Sequence, residues 1–197
     1  AMTANGMQRH VGLVGYGEVG RTFTAGLKGC EGVASMGAWD LKFAAPAVRD
    51  AELAHAAQHG ITAHDSMADL CGACDLIISA VTASNTLAVA QEAAQHIRPG
   101  TLFLDLNSAS PGTKQQAAAL IDAAGGHYVE AGVMTSVPPY GVRVPMLLGG
   151  AQAHALAVVG WTGYVPHFRG CSGELNQLPR AYHSGDFEEI DWVLRRL

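Results

Sequence analysis

The sequence predicts an α/β fold, in which a doubly wound, mostly parallel sheet carries helices on both faces. Short apolar runs alternate with helical patterns of about ten to fifteen residues, which is typical of βαβ units. The run Asp75–Val81 is apolar almost throughout, as expected for a parallel strand that is covered on both faces. The 197 residues are 49% hydrophobic and 15% charged, so the chain can bury a full core.

The predicted elements alternate along the chain. Strands are predicted over 7–14, 32–39, 61–63, 75–81, 101–106, 127–133 and 146–148. Helices are predicted over 19–28, 45–59, 66–70, 84–96 and 111–124. Gly29 and Gly60 are suited to end the first two helices, and Pro111 is suited to begin the last. Beyond a loop over 134–145, we expect a helix over 152–159, a strand over 164–166 and an amphipathic helix over 185–197.

A glycine-rich turn joins the first strand to the first helix. Gly15, Gly17 and Gly20 form the pattern G-x-G-x-x-G at this junction. The first glycine allows a sharp turn, the second a close approach of a pyrophosphate, and the third close packing of the helix on the strand. The free amide groups of the helix N-terminus suit phosphates. The pattern therefore predicts a Rossmann-type dinucleotide-binding fold. The other residues of the turn that we expect at the cofactor are Tyr16, Glu18 and Val19.

Asp40 ends the second strand, about 20 residues after the glycine turn, where an acidic side chain binds ribose hydroxyls in dinucleotide-binding folds. Its carboxylate would repel a 2′-phosphate, which favours NAD. Lys42 could offset that charge, so NADP stays open as the alternative. Ligands of such sheets bind beyond the carboxyl ends of the strands. The residues expected there, beside the cofactor, are Val81, Thr82 and Asn107.

Two later segments resemble a known family. The segment 105–111, Asp-Leu-Asn-Ser-Ala-Ser-Pro, resembles the D-x-S-T-x-x-P motif of the β-hydroxyacid dehydrogenases. The segment 130–136, followed by Met146–Gly150, resembles the third block of that family. With the glycine turn, the blocks keep the family's order over residues 8–150. The chain is similar to 3-hydroxyisobutyrate dehydrogenase, to 6-phosphogluconate dehydrogenase and its NAD-binding-domain branch and, more distantly, to imine reductases.

The resemblance implies an oxidoreductase that uses NAD or NADP and acts on a small hydroxy acid or a related carbonyl or imine. It also implies that Asn107, Ser108, Thr135 and Ser136 bind the substrate, although Met134-Thr135-Ser136 stands where the family has Ser-Gly-Gly. Ser108 and Ser110 could instead serve only to cap the helix that begins at Pro111. Arg143 is a further candidate for anion binding, because functional residues concentrate in loops.

The resemblance further implies a second, helical domain, in which a lysine transfers the proton. The sequence has no lysine after Lys114, and Gln177 stands in the register of that lysine. Glutamine cannot exchange a proton at neutral pH. We therefore expect a dinucleotide-binding domain over 7–168 and a short, helical C-terminal tail over 169–197. Truncation, a shifted reading frame and divergence would each produce this tail.

No side chain stands out as the catalytic general acid, and Lys114 and Tyr140 are the nearest candidates. Without the second domain, the chain could be a nucleotide-binding module that has no turnover. A Rossmann-type assembly protein is a third alternative, because a fold does not fix a function. The second domain could also come from a partner chain, and we expect a homodimer.

Composition excludes other classes of partner. A net charge of −5 without a basic cluster argues against nucleic acid. No apolar run reaches the length of about 18 residues that spans a membrane, so we expect a cytoplasmic protein. Cys71-Gly72-Ala73-Cys74 and the pair His55 and His59 have the spacing of metal ligands. Neither has the partners that a metal site needs, and we expect no metal.

Overall fold

A computed structural model describes residues 8–30, 32–144 and 146–153. The strands are β1 (Arg9–Val14), β2 (Val33–Trp39), β3 (Thr62–Ala63), β4 (Leu76–Ser79), β5 (Leu102–Asp105), β6 (His127–Val133) and β7 (Met146–Gly149). The helices are α1 (Glu18–Leu27), α2 (Arg49–Gln58), α3 (Met67–Ala73), α4 (Thr86–Ala94) and α5 (Pro111–Ala123). Short 3-10 turns lie at Leu41–Phe43, Ala83–Asn85 and Gly141–Arg143.

The sheet has the order β3-β2-β1-β4-β5-β6-β7. Strands β1 to β6 pair in parallel, and β7 pairs antiparallel with β6. The chain builds outward from β1 to β3 on one side and then returns to place β4 on the other side of β1. This order confirms the doubly wound fold, and it leaves a switch point between β1 and β4, where ligands bind in such sheets.

Two apolar clusters cover the two faces of the sheet. One contains Phe23 and Leu27 of α1 against Leu13 of β1. The other contains Leu70 of α3 and Ile77 of β4 on the opposite face. Because alternate residues of a strand point to opposite faces, neighbouring apolar residues of β1 and β4 contribute to different clusters. The continuous apolar strands of the sequence therefore reflect helices on both faces, as predicted.

Three helices differ from their predicted bounds by two residues or more, and one of them, α4, spans only Thr86–Ala94 of the predicted 84–96. The second predicted helix begins only at Arg49, because the 3-10 turn Leu41–Phe43 follows β2 and is capped by the carboxylate of Asp40. Helix α3 extends to Ala73 and so takes in the first cysteine of the C-x-x-C segment. The predicted elements over 164–166 and 185–197, and most of 152–159, lie outside the described residues. Within the described part, no helix has the length and apolarity needed to cross a membrane.

Candidate functional site

A cleft of about 470 Å³ lies at the switch point of the sheet. The ends of β1, β2 and β4 form its floor, and the first turn of α1 closes one side. Seven of the residues that the sequence predicts at a cofactor line it: Gly15, Gly17, Glu18, Val19, Asp40, Val81 and Thr82. The remaining lining residues are Val14, Trp39, Leu41, Met67, Ala80, Asn85, Ala88, Val89 and Glu92.

The three glycines of the turn meet different steric demands. Gly15 has a φ of +100°, and a Cβ there would overlap the carbonyl of Ala80. A Cβ on Gly20 would overlap the carbonyl of Gly15, so this glycine allows α1 to pack on the turn. A Cβ on Gly17, in contrast, would meet no protein atom within 4 Å. The open space in front of Gly17 is what a bound pyrophosphate requires.

The N-terminus of α1 faces this space. Gly17 is its N-cap residue, and no side chain caps the helix. The first backbone hydrogen bond of the helix runs from the amide of Arg21 to the carbonyl of Gly17. The amides before Arg21 have no acceptor one turn earlier in a helix, and the helix dipole places partial positive charge at this end. These groups fit the pyrophosphate of a dinucleotide.

Asp40 lies at the rim of the cleft with an oriented carboxylate. Its Oδ2 accepts the backbone amide of Tyr16 at 2.7 Å, and its Oδ1 accepts that of Lys42 at 2.8 Å. A carboxylate has about four lone-pair directions, so both oxygens can still accept hydroxyl groups. The two amides therefore fix the carboxylate in a position suited to a ribose diol.

Tyr16 does not line the cleft, although the sequence predicts it to contact the cofactor. Its side chain is fully buried, and its hydroxyl forms a 2.8 Å hydrogen bond with Nδ1 of His55. Burial raises the pKa of this hydroxyl above its usual range. Because its amide is already bonded to Asp40, Tyr16 supports the turn and the carboxylate, and neither its side chain nor its amide faces the cleft.

Lys42 lies behind the cleft in an ionic cluster with Arg21 and Glu52. Oε2 of Glu52 accepts a hydrogen bond from Nη2 of Arg21 at 2.6 Å and lies 3.4 Å from Nζ of Lys42. Nζ of Lys42 also donates to the carbonyl of Tyr16 at 3.0 Å. Burial raises the pKa of Glu52, but the hydrogen bond from Arg21 and the two positive charges outweigh it and hold this pKa below its usual range.

Asn107 is a structural residue in this arrangement, not a lining residue of the cleft. Its Oδ1 accepts the amide of Val81 at 2.7 Å, and its Nδ2 donates to the hydroxyl of Ser79 at 2.9 Å. Only 3% of the residue is exposed. Its side chain thus holds the end of β4 to the end of β5, which positions Val81 and Thr82 at the cleft. The expectation of direct substrate or cofactor contact by this carboxamide is corrected accordingly.

The other candidate substrate residues are exposed and lie outside the cleft lining. They are Ser108, Thr135, Ser136 and Arg143. Ser110, and not Ser108, caps α5, because its Oγ accepts the amide of Thr113 at 3.2 Å. Arg143 belongs to the 3-10 turn that packs on α1, where a Cβ on Gly26 would meet the side chain of Val142. Tyr140, one of the two general-acid candidates, is 53% exposed in the same loop.

The other general-acid candidate, Lys114, is enclosed in the protein. Its side chain has no exposed surface, and Nζ donates to Oε1 of Glu130 at 3.0 Å and to the carbonyl of Ala131 at 3.3 Å. Burial raises the pKa of Glu130 to about 7, although Lys114 lowers it. A fully buried, paired ammonium cannot reach a ligand in the cleft, so the structure corrects the expectation for Lys114.

Sequence reasoning missed the apolar side of the cleft. Leu41 is 77% exposed beside Asp40. On the opposite wall, Met67 is the first residue of α3 and Val89 lies in α4. Asn85 and Glu92 add the polar groups of that wall. Leu41 directly follows Asp40, so its position in the sequence could have indicated an apolar residue at the rim of the cleft. The contribution of α3 and α4 depends on the packing of helices that are distant in sequence.

The two cysteines of the C-x-x-C segment are buried, as expected of a structural pair, whereas Gly72 and Ala73 between them are exposed. Cys71 and Cys74 are both free thiols in the core beside β1. Burial raises the pKa of each thiol to about 12, so both stay protonated at neutral pH. Among the described residues, no group of three histidine, cysteine or acidic side chains could hold a metal ion.

The fold and the cleft together define a Rossmann-type dinucleotide-binding domain. Residues 10–154, more than half of the chain, match the model of the NAD-binding domain of 6-phosphogluconate dehydrogenase. The chain belongs to this family, as the resemblance indicated.

Two solved structures are similar to this chain over most of its length. A conserved hypothetical protein from Sinorhizobium meliloti 1021 is 38% identical, with a TM-score of 0.71, over 77% of this chain and 50% of that chain. A conserved protein of unknown function with structural similarity to 3-hydroxyacid dehydrogenases is 30% identical, with a TM-score of 0.64, over 78% of this chain and 55% of its own. The chain thus spans about half the length of these relatives.

A third structure shares the fold at lower identity. It is the 3-hydroxyisobutyrate dehydrogenase of Mycobacterium tuberculosis, which is 22% identical over 77% of this chain and 50% of that chain, with a TM-score of 0.65. The chain also has a short match to a protein of a different class. Over 54 residues it is 50% identical to the esterase candidate YheT of Escherichia coli (strain K12). This match covers 25% of this chain and 16% of YheT. No motif named above indicates this second similarity.

Proposed function

We propose that this domain binds NAD in the cleft and serves an oxidoreductase of the β-hydroxyacid dehydrogenase type. The observation that carries the proposal is the open space in front of Gly17 at the uncapped N-terminus of α1, which the pyrophosphate would fill. Asp40 would bind the adenosine ribose, and Val81 and Thr82 would lie beside the nicotinamide ribose. The bound nicotinamide would accept or supply a hydride.

The preference for NAD over NADP rests on Asp40. Its carboxylate is fixed at the rim by two amides, where it can accept the ribose hydroxyls and would repel a 2′-phosphate. Lys42 does not offset this charge at the cleft, because its ammonium is bonded to the carbonyl of Tyr16 and lies close to Glu52. The structure thus supports NAD as the cofactor more strongly than the sequence did.

The substrate would be a small hydroxy acid or a related carbonyl or imine. Ser108 follows β5, and Thr135 and Ser136 follow β6, so these exposed hydroxyls lie beyond the carboxyl ends of neighbouring strands. Hydroxyl groups at such an edge can donate hydrogen bonds to a carboxylate. Arg143, exposed in the loop before β7, would add a positive charge.

A nucleotide-binding module without turnover is the second candidate, and one observation favours it. The ionisable side chains that line the described cleft are the acids Glu18, Asp40 and Glu92, and no histidine, lysine or tyrosine lines it to donate a proton. A proton donor would then have to come from residues after 153 or from a partner chain. The expected homodimer would supply such a partner.

For the domain organisation, we propose the division expected from the sequence, a dinucleotide-binding domain over 7–168 and a tail over 169–197. The family match ends at residue 154, which supports a boundary in the C-terminal quarter of the chain. Sequencing the gene and its transcript across the codons for 140–197 tests whether both parts belong to one reading frame.

Calorimetric titration with NAD and NADP tests the cofactor assignment in the wild type and in Asp40→Ala. We expect NAD to bind more tightly than NADP, and the substitution to weaken NAD about tenfold, since it removes charge-assisted hydrogen bonds to the ribose. Equal NAD affinity in both proteins would contradict the assignment. Turnover assays with small hydroxy acids, ketones and cyclic imines then separate an oxidoreductase from a binding module.

A further inference from the structure

The cluster of Arg21, Lys42 and Glu52 lies directly behind the carboxylate of Asp40. Two cations share one oxygen, since Oε2 of Glu52 is 2.6 Å from Nη2 of Arg21 and 3.4 Å from Nζ of Lys42. The side chain of Glu52 is 14% exposed, whereas those of Arg21 and Lys42 are 35% and 37% exposed. Glu52 is therefore the most enclosed residue of the cluster, and the side chains of the two cations are more exposed to solvent.

The cluster is connected to the rim of the cleft through backbone groups. The amide of Lys42 donates to Asp40, while its ammonium donates to the carbonyl of Tyr16, whose own amide donates to Asp40. The guanidinium of Arg21 lies 5.1 Å from the centre of the Tyr16 ring. Both cations are thus linked to the surroundings of Asp40, whose carboxylate would bind the 2′-hydroxyl of a bound adenosine ribose.

The charges of this region cancel. Arg21 and Lys42 carry two positive charges, and Glu52 and Asp40 carry two negative ones. A 2′-phosphate adds a charge of about −1.5 to −2 near neutral pH, and its binding requires unpaired cations that can contact its oxygens. In the structure, the ammonium of Lys42 and the Nη2 of Arg21 are already bonded to protein oxygens.

We propose that Glu52 is a positioning residue that sets the dinucleotide preference by holding Arg21 and Lys42 away from the 2′ position of the ribose. This inference rests on the proposed binding of a nicotinamide dinucleotide in the cleft. Glu52 does not line the cleft. Its effect would pass through the two cations, which it holds in the cluster.

The substitution Glu52→Gln removes the shared negative charge while it keeps the size of the side chain. Without that charge, Arg21 and Lys42 repel each other and can turn toward the rim, where a 2′-phosphate would bind them. We expect the affinity for NADP to rise about tenfold and that for NAD to change less than about threefold. The fragments 2′,5′-ADP and 5′-AMP, which differ only in the 2′-phosphate, should show the same selective change.

Three further variants of the full chain separate this role from a general effect of charge or stability. Asp50→Asn removes a carboxylate from the exposed part of the same helix and should leave both affinities unchanged. Glu52→Asp keeps the charge and should restore most of the wild-type preference. Adding Arg21→Gln to Glu52→Gln should cancel part of the gain in NADP affinity, because one of the two released cations is then missing. Thermal unfolding is measured for each variant.

Several results would overturn the inference. An unchanged ratio of NADP to NAD affinity in folded Glu52→Gln would do so, as would an equal gain in Asp50→Asn. Should Glu52→Gln not fold, Lys42→Met with Glu52 intact provides the second test. It should change NADP affinity less than about threefold, since Glu52 already holds this cation away from the 2′ position, and a tenfold loss of NADP affinity would contradict the inference. If the wild type binds neither dinucleotide, the proposed function fails instead.

Discussion

The side-chain oxygen of Asn107 accepts a hydrogen bond from the backbone amide of Val81 at 2.7 Å, which joins the ends of β5 and β4. The same carboxamide donates to the hydroxyl of Ser79, and the amide of Asn107 donates to Oδ1 of Asp105 at 2.8 Å. The end of β4 lines the cleft through Ala80, Val81 and Thr82. We therefore expect Asn107 to affect a bound ligand through the backbone that it positions.

The substitution Asn107→Ala should destabilise the protein and weaken NAD binding together. It leaves the amide of Val81 without its acceptor, for which we expect a loss of about 1–3 kcal/mol in the free energy of unfolding. The control is Ser108→Ala, because Ser108 is exposed and should contribute to substrate use and not to stability. Urea unfolding and NAD titration measure both effects. Wild-type stability in Asn107→Ala would refute the structural role.

The glycine turn allows binding and folding to be tested separately. Gly17→Val should abolish NAD binding and leave the melting temperature close to that of the wild type, because the new side chain enters only open space. Gly20→Ala should instead destabilise the protein by about 1–3 kcal/mol, because its Cβ would overlap the carbonyl of Gly15. Thermal unfolding and NAD titration of both variants check this. If Gly17→Val still binds NAD, the pyrophosphate lies elsewhere.

The glycine turn and Asp40 could be predicted from sequence because both depend on local spacing. The steric roles of Gly15 and Gly20 follow from one strand, one turn and one helix. The carboxylate at the end of the next strand reaches the same turn, since β1 and β2 are neighbours in the sheet. The order of strands and helices likewise follows from apolar periodicity, which reports burial on two faces.

The roles of Asn107, Lys114 and Glu52 could not be predicted, because each depends on a contact between distant residues. Asn107 resembled a ligand residue by its position in a motif, but its partner is an amide 26 residues away. Lys114 occurs in a largely polar turn of α5, and only β6 supplies the carboxylate of Glu130 that lets it be buried. Nothing in the spacing of Glu52 indicates that Arg21, 31 residues earlier, reaches it.

The thiols of Cys71 and Cys74 should resist alkylation in the folded protein. Burial raises both pKa values to about 12, so neither thiol forms appreciable thiolate near pH 8. We expect iodoacetamide to label them only after unfolding in urea, as measured by mass spectrometry of the peptides. Half-buried Cys30 serves as an internal comparison in the same digest. Rapid labelling of Cys71 or Cys74 without urea would show that the C-x-x-C segment is accessible.

The buried pair of Lys114 and Glu130 should make stability depend on pH. Burial raises the pKa of Glu130 to about 7, well above the ordinary pKa of a glutamate, so between these two values the folded protein keeps a proton that the unfolded chain has released. The unfolding free energy from this group therefore falls as the pH rises through that window. Removing Lys114 takes away the charge that lowers this pKa, and so it should raise the pKa further and extend the fall above pH 7.

The substitution Lys114→Met tests this dependence in urea unfolding at about pH 5.5 and pH 8. We expect a loss that is about 1 kcal/mol larger at the higher pH, because a buried carboxylate without its ammonium partner must ionise or keep its proton at increasing cost above pH 7. The double variant Lys114→Met with Glu130→Leu carries no ionisable group at either position, so its unfolding free energy should lack this pH dependence and its loss relative to the wild type should shrink as the pH rises. If the single variant loses the same stability at both pH values, Glu130 does not titrate in this range, and the orientation of the pair serves packing alone.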